Sequence, residues 1–223
     1  LTPEPTNISV WAGVALAVLE GLVSRWKGIS LDLIVTVTIA SVLVDRIALN
    51  GAILESLLKV VSPGMSERII KHEAGHFLAA YILGCPIEGV VLSAWAALQD
   101  KRFGNRNVSA GTSFFDPQLS EQVNLRQSVT RSVVNRYSII VMAGIAAEAE
   151  EFGRANGGAG DEMALVTFLS QLNSGSTSNT NTNNVWTADA IRNQARWGAL
   201  QAVLLLRHYQ PCYKSLVNAL ENG

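Results

Sequence analysis

The stretch ERIIKHEAGHFLAAYILG, Glu67 to Gly84, holds two of the chain's three histidines in the pattern His-Glu-x-x-His, at His72, Glu73 and His76. Residues four apart on an α-helix share a face, so both imidazoles can reach one tetrahedral Zn²⁺ while Glu73 sits beside a water on the metal. That set suits hydrolysis. Zinc lowers the pKa of its water to about 7, and a carboxylate at Glu73 accepts the proton and returns it to a leaving amine. Two histidines do not complete such a centre, which takes a third protein ligand and keeps a fourth position open. The remaining histidine, His208 in LLLRHYQ, stands near a helix end and reads as a capping or half-buried structural residue rather than a ligand.

Composition narrows the alternatives. The 223 residues suffice for one domain with a helical extension. Hydrophobic residues make up 48% and charged residues 16%, an apolar balance that points to apolar surface beyond what a monomer core needs. The 17 Lys and Arg are scattered and the net charge is -1, so no basic face exists to hold nucleic acid. No Gly-x-x-x-x-Gly-Lys-Ser/Thr loop is present, which argues against ATP. Cys85 and Cys212 are too few and too far apart for a disulfide scaffold.

The elements that must position the motif follow from periodicity and punctuation. A helix is expected from Ser66 to Leu83, with Ser66 as cap and Gly84 as stop. Before it, Ile8–Val23 and Ile29–Val61 are apolar runs broken by Glu20, Asp32, Asp45 and Arg46, short of the ~20 uninterrupted apolar residues of a spanning helix. They read as two or three helices packed on each other or against a membrane surface. After it, Pro86–Leu98 has strand character and could pair with Asn107–Asp116. Leu119–Phe152 reads as one helix, with the small residues of SIIVMAGIAAEA allowing close packing. A glycine-rich loop, Gly153–Glu162, then delivers two acids to the next helix. The polar run Asn173–Asn184 reads as a flexible loop, and Thr187–Gln210 as a helix with a short one after Pro211. The expected fold is mainly α with a small β-sheet (α+β). Residues 1–62 are expected to form an apolar helical segment, packed on itself or against a membrane surface, and residues 63–223 the zinc-metallopeptidase domain that carries the metal motif.

HEAGHFLAAYILG resembles the active-site helix of the FtsH-type zinc peptidases, and VMAGIAAEAEEFGRANGGAGDEM, Val141 to Met163, is similar to that family's downstream segment. The likeness begins at about Ser66 and is faint after Leu172. It implies a helical zinc-peptidase domain resembling the FtsH protease domain, with His72 and His76 as zinc ligands and Glu73 as base. It also implies a third ligand, an aspartate after a Gly-Ala pair. Anchored on Gly158 and Ala159 without a gap, that ligand falls on Glu162; with a one-residue deletion it falls on Asp161, the preferred reading because aspartate keeps the reach of the side chain. Glu148 matches one of the family's paired glutamates and reads either as an outer partner to a histidine or as a plain salt bridge.

The departures carry information too. The family's ATP-driven unfolding module has no counterpart here, so the resemblance implies an ATP-independent endopeptidase restricted to unfolded or flexible protein and peptide segments. The family's arginine in the small-residue helix is Ile145, and Asn173–Asn184 looks like an insertion; both bear on the family's ring assembly, so a homo-oligomer is left open. Relatives without the motor occur in plants, algae and cyanobacteria. A plastid (chloroplast) protein stripped of its transit peptide fits a chain that opens at Leu1. GVVLSAWAAL is the candidate sheet edge against which a substrate would add as a strand, or else an ordinary core strand.

Overall fold

The computed structural model of the protein describes residues 8–49, 51–62, 64–103, 110–125, 127–174 and 186–222. It is mostly helical with one two-stranded antiparallel sheet, an α+β arrangement. The chain divides into two compact units, Ser66–Leu92 with Gly111–Gly223, and Pro5–Met65 with Ser93–Ala110.

In the first unit the organising element is α7, Arg131–Phe152. Val141 to Glu148 are buried without interruption, as in a helix covered on every side. Small side chains let its neighbours come close. A Cβ on Gly75 of α4, Met65–Ile82, would stand 2.6 Å from the Ala143 carbonyl oxygen. A Cβ on Gly198 of α9, Ala188–His208, would stand 2.7 Å from the Ser138 carbonyl oxygen. One apolar cluster joins α4, α7, α9 and α10, Gln210–Asn222, through Leu78, Ile140, Ala143, Leu206 and Val217. A second joins α7, α8, Ala159–Ser174, and α9 through Val141, Ile145, Leu165, Leu169 and Ile191. Tyr213 of α10 donates to the Lys71 carbonyl at 3.0 Å, one residue before His72, and so ties the last helix to the motif helix.

The sheet pairs β1, Ile87–Val91, with β2, Gly111–Phe114, in the register Val90 to Thr112 and Val91 to Gly111, with an irregularity between Ile87 and Gly89. The expected strand Pro86–Leu98 is therefore too long. Ser93 turns the chain by accepting a hydrogen bond from the Ala96 N–H, and the helix-favouring AWAALQ that follows forms α5, Ala94–Gln99. The candidate edge GVVLSAWAAL is strand only as far as Val91. Residues 107–109 of the expected partner strand lie outside the described residues.

The single helix expected over Leu119–Phe152 is two. Asp116 caps α6, Pro117–Asn124, accepting from the Gln118 and Leu119 N–H groups, with Pro117 in the first turn. The helix stops near Leu125, and the Gln122 carboxamide bridges to the Thr130 N–H at 2.9 Å, just where α7 begins. Further along, α8 starts at Ala159, three residues earlier than the glycine-rich loop suggests, because Gly158 takes φ 93° and its carbonyl accepts the Glu162 N–H. Most of the loop expected at Asn173–Asn184 lies outside the described residues.

The second unit holds α1, Ile8–Lys27, α2, Leu31–Ala48, α3, Ala52–Val61, and α5. Its buried acids are structural. Asp45 accepts from the Ile53 and Leu54 N–H groups at the start of α3, and Glu55 accepts from the Ala94 N–H while pairing with Lys59. Its outer surface is apolar, with Leu19, Leu22, Leu33, Val44, Ile47 and Val60 exposed. Among the described residues no helix is long and apolar enough to cross a membrane.

Candidate metal centre

Helix α4 presents His72 and His76 on one face, as the spacing requires, and both are buried. Gly144 makes room for them on α7, since a Cβ there would fall on both Nε2 atoms. Each ring is held from behind. His72 Nδ1 lies 2.8 Å from Glu148 Oε1, and His76 Nδ1 lies 2.8 Å from the Ile140 carbonyl oxygen. A carbonyl only accepts, so His76 Nδ1 carries a proton, and in the neutral ring Nε2 is the nitrogen with the free lone pair. The Glu148 carboxylate imposes the same orientation on His72.

The two Nε2 atoms face each other at 3.1 Å, and Asp161 Oδ2, from the first turn of α8, stands 2.9 Å from His72 Nε2 and 3.4 Å from His76 Nε2. Three donors around a tetrahedral zinc at 2.0–2.1 Å are separated by about 3.3 Å, so these spacings match the edges of such a site. Two imidazole nitrogens and one carboxylate oxygen are also a zinc donor set. Charge points the same way. Glu73, Glu148 and Asp161 act on the two rings, and the Arg68 guanidinium lies 3.2 Å from Glu148. Burial pulls the His72 pKa down, but hydrogen bonds to Asp161 and Glu148 outweigh it and push it up to about 10. Burial pushes Asp161 up, and the charges and hydrogen bonds of His76 and His72 overcome this and hold it far below the usual carboxylate range. Glu148 is held low against its burial by His72 and by the N–H groups of Asn156 and Gly157. The carboxylates thus draw positive charge into the site.

Glu73 is buried beside His72. Among the described residues, its carboxylate takes one hydrogen bond, from Thr112 Oγ1 of β2 at 2.9 Å, and the same hydroxyl lies 3.2 Å from the Glu73 carbonyl oxygen. Glu162 stands apart from the converging ligand atoms; with Met142, Val166, Ile191 and Arg196 it lines a cavity of about 800 Å³. His208 is exposed at the end of α9, its ring against Tyr209, and takes no part in the centre. Sequence reasoning missed Thr112 and the Ile140 carbonyl. Nothing in GTSF marks a partner for a glutamate 39 positions earlier, and a main-chain carbonyl leaves no signature in a sequence.

Comparison with protein-family models gives no match, and comparison with curated proteins gives none.

Proposed function

We propose that the chain is a zinc-dependent, ATP-independent endopeptidase of the FtsH type that cuts unfolded or flexible protein segments. The observation that carries this reading is the convergence of His72 Nε2, His76 Nε2 and Asp161 Oδ2, with both Nδ1 atoms held by outer acceptors and Glu73 next to His72 on the same helix. The resemblance of HEAGH and of Val141–Met163 to that family supports the same assignment. His72, His76 and Asp161 hold the metal; Glu162, facing a cavity, does not.

Zinc, when bound, supplies a Lewis acid that polarises the scissile carbonyl and acidifies water. Glu73 then takes the proton of the attacking water and delivers it to the departing amine nitrogen as the C–N bond breaks, which returns the carboxylate to its starting state. Glu148 and the Ile140 carbonyl keep the two rings aimed during this cycle.

Cleavage of casein by the purified protein, with and without chelator, tests the reading together with Glu73→Gln. Chelator-sensitive cleavage is expected, and the variant should retain its zinc while kcat falls by roughly 10²–10⁴. Wild-type cleavage by Glu73→Gln with the metal retained would sink the mechanism. Zinc without any cleavage would instead favour a catalytically silent interaction protein that keeps the centre.

A further inference from the structure

A buried carboxylate needs a donor, and the donor available to Glu73 comes from a different element than the motif helix. Thr112 sits on β2 opposite Val90, so its place is set by the strand pairing rather than by α4. Its hydroxyl lies within reach of two acceptors of one residue, the Glu73 carboxylate oxygen Oε2 at 2.9 Å and the Glu73 carbonyl oxygen at 3.2 Å. The ionised carboxylate is the stronger acceptor and the shorter contact. One oxygen of the base is thereby tethered to the sheet, and the side chain loses the freedom to swing about its terminal torsion, which is broad and soft in a glutamate left to itself.

On the reading of the site given above, we propose that Thr112 is a positioning residue for the base. By holding Glu73 Oε2 from β2, it fixes the carboxylate so that the other oxygen is the one presented to the attacking water. The role couples the sheet to the chemistry: the strand pair that could receive a substrate also sets the aim of the proton acceptor. A misplacement of about 1 Å in such a group costs up to 10²-fold in rate.

Thr112→Val keeps the β-branched shape and deletes the hydroxyl, and Thr112→Ser restores the hydroxyl on a smaller side chain. For chelator-sensitive casein cleavage, Thr112→Val should lose roughly 10- to 100-fold in kcat with KM and zinc content unchanged, and Thr112→Ser should recover most of that loss. A second readout does not depend on activity. In the zinc-free protein, Thr112→Val should lower Tm by roughly 3 °C in the wild-type background and by clearly less in a Glu73→Ala background, because only the first background contains the carboxylate. The hydroxyl has one proton, so in the Glu73→Ala background it is left to the longer contact with the main-chain carbonyl of position 73, and the smaller Tm loss there reports that weaker bond. Equal Tm losses in the two backgrounds, wild-type kcat in Thr112→Val, or no rescue by Thr112→Ser would each overturn the proposal. Coupled Tm losses in a protein whose wild type shows no chelator-sensitive cleavage would overturn the peptidase reading and reduce the bond to a structural one.

Discussion

His72 and His76 reach toward a shared point because other atoms hold them from behind. The Glu148 carboxylate and the Ile140 carbonyl occupy the two Nδ1 positions, leaving the Nε2 atoms for a ligand. Outer partners of this kind are worth 10–100-fold in metal affinity. Glu148→Gln should therefore weaken zinc binding by about that factor, measured by competition with a chelating dye, while the far-ultraviolet circular dichroism is retained. Unchanged affinity would show that the ring needs no carboxylate behind it. At this scale the motif was legible because it is local: four residues of helix bring two histidines onto one face whatever surrounds them. Asp161 was preferred over Glu162 on the reach of its side chain, and it is the acid whose oxygen meets the two rings. Thr112 lay beyond reach, since strand pairing and helix packing had to be known first.

The elements do their positioning through close approach. Helix α7 carries Gly144 where the imidazole edges of α4 arrive, and no larger residue fits there. Gly144→Ala should raise intrinsic helix propensity by about 1 kcal/mol yet displace His72 and His76, so zinc content should drop to near zero in a chain that stays helical. Zinc at wild-type stoichiometry would mean that the helices are less tightly apposed than described. A second device is Asp116, which caps α6 and takes two hydrogen bonds of 2.7 Å from Arg136 of α7. Burial alone would raise its pKa, but the Arg136 hydrogen bonds and charge and the Leu119 and Gln118 N–H groups hold it below the ordinary 3.8. A depressed carboxylate pKa contributes stability that is present above the unfolded value and lost as pH falls through the folded one. Asp116→Asn should thus cost about 3 kcal/mol in urea melts at neutral pH, with the gap to wild type closing below about pH 4. A gap independent of pH would rule out the ion pair as its source. The helix–strand–helix order was readable from composition. The break before α7 and the turn into α5 were not, because each depends on one side chain, Gln122 or Ser93, capping its own neighbourhood.

Taken whole, the molecule leaves the outward faces of α1, α2 and α3 apolar, with Leu22, Ile47 and Val60 well exposed. At the end of α1, Trp26 is exposed with Lys27 Nζ 4.2 Å over its ring and Arg25 beside it, residue types that sit at a lipid headgroup boundary. The protein should float with vesicles containing anionic lipid, and Leu22→Asp with Ile47→Asp should leave it at the bottom of the gradient; equal flotation of both would remove these faces from consideration. The breaks at charged residues left two or three helices open for this stretch, which forms three, whereas the side chains they leave exposed could only be read once their packing was known. The claim on which the account depends most is that the histidines and Asp161 hold one metal. Zinc per chain, measured by elemental analysis of protein purified without chelator, tests it directly. About one zinc in the wild type and in Glu162→Ala, with none in His72→Ala or Asp161→Ala, is the predicted result. A wild type without zinc, or zinc retained in Asp161→Ala and lost in Glu162→Ala, would contradict it.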